Sequence, residues 1–145
     1  MRFIFIISTI LAAAIVLSCQ RKSTTDAPLA VVVKYVSAEV EGLKEEARPY
    51  IDLQSVYSKH IKDAGVDYEK VWEDQMEFRR NVKGSIKMKS CFSFYEYDID
   101  EVLADARSAV VTFKSRKEVG KNSVYGLTFI NEKWIIVSID HLENE

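Results

Sequence analysis

Residues 125–137 read Tyr125-Gly126-Leu127-Thr128-Phe129-Ile130-Asn131-Glu132-Lys133-Trp134-Ile135-Ile136-Val137. Two runs rich in β-branched and aromatic residues flank the dipeptide Asn131-Glu132. That arrangement predicts a tight hairpin joining a strand over residues 122–130 to a strand over residues 133–140. Upstream, residues 104–114 place Ala109, Val111 and Phe113 on one face and predict another strand, followed by a charged turn over 115–121. Earlier still, Ile86, Met88, Ser90, Phe92 and Phe94 alternate with Lys87, Lys89, Cys91 and Ser93. This period of two predicts a half-buried strand from Ser85 to Phe94. Tyr95 and Tyr97 take the opposite phase, so a bulge or twist is expected near Phe94-Tyr95. Asp98-Ile99-Asp100 reads as a turn, and the last five residues, HLENE, as a tail.

Before Gly84 the period is helical. Residues 28–41 carry Leu29, Val32, Val33, Val36 and Val40 at helical spacing, with Pro28 suited to a first turn and Asp26 or Thr25 available as a cap. The run Val31-Val32-Val33 alone would suit a strand, but the stripe and the acidic end of the segment favour a helix. Gly42 ends it, and residues 43–48 (LKEEAR) supply one or two further turns. Tyr50, Leu53, Tyr57, Ile61 and Ala64 predict a second helix over 49–64, closed by Gly65. Asp67 caps a third over 68–83, whose wide apolar stripe includes Val71, Trp72, Met76 and Phe78.

Helices first and an antiparallel meander second define an α+β domain, with three N-terminal helices on one face of a curled sheet of about four strands. This order, together with the ending in which a short turn leads into Trp134 and alternating aliphatics, resembles the nuclear transport factor 2-like superfamily, also called cystatin-like or polyketide-cyclase-like cones. The resemblance spans about residues 27–140. It implies a cone with a mouth between helices and sheet. In some relatives that pocket holds an Asp or His base beside a Tyr and isomerises, cyclises or dehydrates a small apolar molecule. No motif of this chain matches such a site residue by residue.

The N-terminus indicates where such a domain would work. Arg2 supplies a positive start, residues 3–16 are apolar except for Ser8 and Thr9, and Val16-Leu17-Ser18-Cys19 reads as a lipobox. On this reading residues 1–18 are a signal peptide and Cys19 is the mature N-terminus, its thiol thioether-linked to diacylglycerol. Residues 20–26 form a polar tether and the domain follows to residue 145. A transmembrane anchor would need about 20 apolar residues, more than the run from Phe3 to Ser18 provides. An ordinary secretory signal with an incidental cysteine is the remaining alternative. The non-acidic residues after Cys19 favour a periplasm-facing, lipid-anchored position in a bacterial cell envelope.

The chain has 145 residues and a net charge of −2, and losing Arg2 with the signal makes it one unit more negative. It is long enough for one domain with its own core. Mildly acidic, it has no electrostatic footprint for nucleic acid. Its two cysteines are Cys19 and Cys91, so a lipidated Cys19 leaves Cys91 without a partner in the chain. No Cys or His cluster has metal-ligand spacing, and no motif calls for a cofactor.

Candidate pocket residues are Tyr57, Trp72, Met76, Phe92 and Phe94. Each has a packing role as its alternative: Trp72 and Met76, one turn apart, suit a core as well as a pocket wall, and Trp134 can line a pocket or cover the sheet edge. Tyr57 and His60 could form a base–phenol site with Asp98 or Asp100, but His60 lies one position off the apolar stripe. Arg79, Arg80, Lys83, Lys87 and Lys89 could meet anionic headgroups or an acidic partner, or form a solvated face balanced by Glu69, Glu73, Asp74 and Glu77. Val110, Thr112, Val124 and Ile136 are assigned to an outer sheet face apolar enough for a homodimer. The leading functional reading is a non-catalytic envelope lipoprotein binding a small apolar ligand or an envelope protein. The alternative is a small-molecule isomerase or cyclase using the cone pocket.

Overall fold

The structure, a computed structural model, describes residues 25–85, 96–117 and 120–143. Helix α1 (Pro28–Glu41) begins with its proline in the first turn, and Ala27 occupies the capping position without a side-chain bond. The two residues expected to cap it are engaged elsewhere. Asp26 pairs with Lys34 at 2.6 Å, and Thr25 Oγ1 donates to the Glu132 carbonyl at 3.2 Å. Gly42 closes the helix in the left-handed region (φ 75°), where its lack of Cβ removes the usual strain. The buried side of α1 comprises Val31, Val32, Tyr35, Val36, Ala38 and Glu39. Val33, assigned to the apolar stripe, is only half-buried.

The turns expected over 43–48 are present, but the single helix expected over 49–64 is replaced by two shorter pieces. After α2 (Lys44–Ala47), a 3-10 turn spans Arg48–Tyr50, and α3 is limited to Leu53–Tyr57. Between them Ile51 is extended (φ −129°, ψ 138°) and bridges Ile136 in parallel, while the Asp52 N–H donates to the Ile136 carbonyl at 2.9 Å. These two residues use their backbone groups on the sheet, so no helix can pass through them. Asp52 then caps α3, accepting from the Ser55 N–H at 3.3 Å. Helix α4 (Tyr68–Ser85) starts as expected at Asp67, which accepts from the Lys70 N–H at 3.2 Å, and it continues through Gly84.

The sheet is an antiparallel meander of β1 (Tyr97–Asp105), β2 (Ser108–Ser115), β3 (Lys121–Ile130) and β4 (Lys133–Glu143), curled but not closed. The hairpin at Asn131-Glu132 is present, with both residues at positive φ (49° and 62°) as a two-residue type I′ connection requires. Two expectations fail here. Asp98-Ile99-Asp100 is strand, and the strand predicted over 104–114 is divided by a turn at 106–107. Among the described residues β1 is an edge strand, exposed on both faces, so it has no apolar alternation to read. Its backbone ladder to β2 holds it, and exposed cross-strand charges lie along that ladder, with Asp98 on Arg116 at 2.7 Å and Asp100 on Lys114 at 3.5 Å. The supposed tail is also strand as far as Glu143. The strand predicted from Ser85 to Phe94 lies outside the described residues apart from Ser85, which is helical.

A register shift at Gly126/Leu127 decides which side of β4 is buried. Tyr125 faces Ile139, Leu127 faces Ile136, and Phe129 faces Trp134. The extra residue turns Ile136 inward, where it is fully buried, whereas strict alternation assigned it to the outer face. Val110 remains on that outer face at 38 % exposure, with Thr112 and Val124 half-buried. Helices and sheet share one core, in which Trp72, Tyr35, Phe113 and Ile136 are the largest fully buried side chains. Phe113 meets Tyr97 and Tyr125 edge-on at 6.2 and 5.7 Å, a geometry favoured by the aromatic quadrupole. Among the described residues no helix is long and apolar enough to cross a membrane.

Candidate functional site

The curl of the sheet leaves a groove of about 410 Å³ beside the C-terminal half of β4. Glu39 of α1, Val56 and Tyr57 of α3, His60 beyond it, and Gln75 of α4 form one side. Tyr125 of β3 and Ile139, Asp140, His141 and Leu142 of β4 form the other. Both histidines of the chain therefore line one groove. The volume lies in the range of small-molecule sites, and the walls mix apolar side chains from Val56, Ile139 and Leu142 with polar ones from Glu39, His60, Gln75, Asp140 and His141.

Most of those polar groups are held by a neighbour. Tyr57 Oη donates to Gln75 Oε1 at 2.9 Å, and the Tyr57 ring stacks on Tyr68 at 6.5 Å. His141 Nδ1 and Ser123 Oγ lie 3.1 Å apart. At the inner end Tyr35 Oη donates to Glu39 Oε1 at 2.9 Å, a bond made possible by their spacing of one helical turn. Glu39 is only 8 % exposed, so this bond satisfies part of a carboxylate that would be costly to bury unpaired.

Burial drives the Tyr35 phenol far above its ordinary value of 10, and the Glu39 charge and hydrogen bond push the same way. The buried Trp72 Nε1–H has no partner at hydrogen-bond geometry among the described residues, though its dipole reaches Tyr35 and offsets a little of that rise. A phenol that keeps its proton when folded but loses it near pH 10 when unfolded makes stability fall as pH climbs above 10 and leaves it untouched below. The expected slope from this group is up to about 1.4 kcal/mol per pH unit. Urea midpoints of the native protein and Tyr35→Phe, measured at about pH 9 and about pH 11, should therefore diverge in their pH dependence, the variant losing less. Equal losses would show that Tyr35 ionises normally.

The structure distributes the sequence candidates as follows. Tyr57 and His60 reach the groove. Trp72 is fully buried in the core. Met76 is buried and edges a separate shallow depression with Gly42, Lys44, Glu73 and Glu77. Asp98 and Asp100 are on β1, at the opposite edge of the sheet from β4, and salt-bridged there. Phe92, Phe94, Cys91 and Cys19 lie outside the described residues. Glu39, Tyr125, Asp140 and His141 were not singled out from the sequence. Two signals pointed to them: Glu39 stands four residues after Tyr35, and His141 continues the alternation begun by Ile139. Among the described residues no group of three or more His, Cys, Asp or Glu side chains is arranged to hold a metal ion. Glu69 pairs with Arg48 and Glu73 with Lys44, while the side chains of the basic run Arg79, Arg80, Lys83, Lys87 and Lys89 lie outside the described residues.

No family model matches the chain, and no curated protein or solved structure is significantly similar to it. What the structure establishes is the class: an α+β domain whose helices precede and cover one face of a four-stranded antiparallel sheet.

Proposed function

We propose that this chain is a cell-envelope lipoprotein, acylated at Cys19, whose domain binds a small ligand or a partner protein through the groove without transforming it. The groove itself carries this reading. It offers apolar surface from Val56, Tyr125, Ile139 and Leu142, while Tyr57, Glu39 and His141 are already bonded to Gln75, Tyr35 and Ser123. Groups fixed in this way orient a bound molecule well. The helix-first order and the four-stranded meander are the features on which the resemblance to the nuclear transport factor 2-like cones rests.

One observation favours the enzymatic alternative: two phenols and two imidazoles line the same groove, the materials of an isomerase or cyclase site. Native mass spectrometry of the protein extracted gently from membranes separates the readings. The binding reading predicts a small-molecule adduct, or a photo-crosslinked envelope protein from a reactive residue at position 142, which Ile139→Trp abolishes by filling the groove. A bare mass and no crosslink in both forms would contradict it. An adduct of unequal precursor and product forms, equalised by His60→Ala, would favour the enzyme.

A further inference from the structure

We infer that the groove takes a small organic cation, its ammonium directed to the buried Glu39 carboxylate and its apolar body laid along Val56, Tyr57, Tyr125 and Ile139. The inference rests on the ligand-binding reading of the groove and adds the charge of the ligand to it. Among the described residues that line the groove are two carboxylates, Glu39 and Asp140, and neither a lysine nor an arginine. A wall of this composition attracts cations and repels anions. The aliphatic and aromatic side chains beside Glu39 suit an apolar body.

Of the two carboxylates Glu39 is the buried one, and Asp140 is half-buried. A carboxylate taken out of water is costly unless positive charge stands beside it. The Tyr35 hydroxyl gives Glu39 a hydrogen bond at 2.9 Å but no positive charge. The lysines and the arginine nearest to it in sequence are turned to other acids, Lys34 to Asp26, Lys44 to Glu73 and Arg48 to Glu69. Helix α1 strengthens the same field. Glu39 stands in its last turn, at the negative end of the helix dipole, and that turn carries no basic residue. An ionised carboxylate has about four acceptor positions, so it can take an ammonium N–H beside the hydroxyl it already accepts. The ammonium then contributes a charge-assisted bond that a neutral ligand of the same shape cannot make.

The test uses the full-length protein, matured in a bacterium and held in phosphatidylcholine nanodiscs, with empty nanodiscs as the background. It is titrated calorimetrically at about pH 8, where imidazole is ordinarily uncharged. The probes have similar shape and different charge: 2-phenylethylamine, 2-phenylethanol and 3-phenylpropanoate. The amine should bind about 10-fold to 100-fold more tightly than the alcohol, the gain expected of a hydrogen bond to a charged, buried group, and the carboxylate should bind least. Glu39→Gln, which keeps an acceptor for the Tyr35 hydroxyl, should bring amine and alcohol to similar affinity. Ile139→Trp should abolish binding of both. Should Glu39→Gln fail to fold, the order of the probes on the native chain decides alone. Amine and alcohol bound equally by the native chain overturn the cation while leaving the groove a binding site. A preference that survives Glu39→Gln also overturns it, since the charge is then read elsewhere. Binding that Ile139→Trp leaves unchanged, or no binding of any probe, overturns the groove reading and the inference together.

Discussion

Trp72→Ala is expected to lower the unfolding free energy by about 3–5 kcal/mol, the range for removing a large aromatic side chain from a packed core. Trp72 has no solvent exposure and is the largest fully buried residue described. It sits on α4 against a core that α1, α3 and the sheet all enter, including Tyr35, Val56, Phe113 and Ile136. Truncation leaves a void that these elements cannot close without shifting against one another. Trp72→Phe separates volume from polarity. It restores most of the packing and removes an indole N–H that lacks a partner among the described residues, so it should cost much less than the alanine variant. Comparable losses for both would mean that the indole nitrogen matters more than the volume.

Cys19→Ala is expected to move the protein from the membrane fraction to the soluble fraction, a change of ~100-fold or more in partition, because two acyl chains hold a protein stably where one gives only marginal binding. The variant has no sulfur on which a diacylglycerol thioether can form. A transmembrane anchor predicts no change, since the apolar segment at residues 3–18 would still be present. Fractionation of cells expressing each form, with high-salt and carbonate washes, reads the difference directly.

Residues that obey a local rule were legible in the sequence. Helices α1 and α4 announce themselves through Pro28, Gly42 and Asp67, and the β3–β4 hairpin through Asn131-Glu132 between two alternating runs. β1 was not legible because both of its faces are exposed and its support is the backbone ladder to β2, which leaves no apolar alternation in the sequence. The short α3 was not legible because Ile51 and Asp52 give their backbone to β4, a demand placed by a residue 85 positions away. The inward turn of Ile136 depends on a register shift that no periodicity reveals. Half of the groove followed the same division. Tyr57 and His60 stand three residues apart, at the end of α3 and in the turn after it, and could be paired by spacing. Glu39 and His141 meet them only through the fold, one from the end of α1 and the other from a strand that continues past its last aliphatic residues.

The most direct test of the account is the intact mass of the protein extracted from membranes. The account predicts a chain beginning at Cys19 and heavier than its amino-acid sequence by a diacylglyceryl group, with or without a further acyl chain on the new amino terminus. A mass beginning at Met1, or one beginning at Cys19 with no lipid, would contradict it.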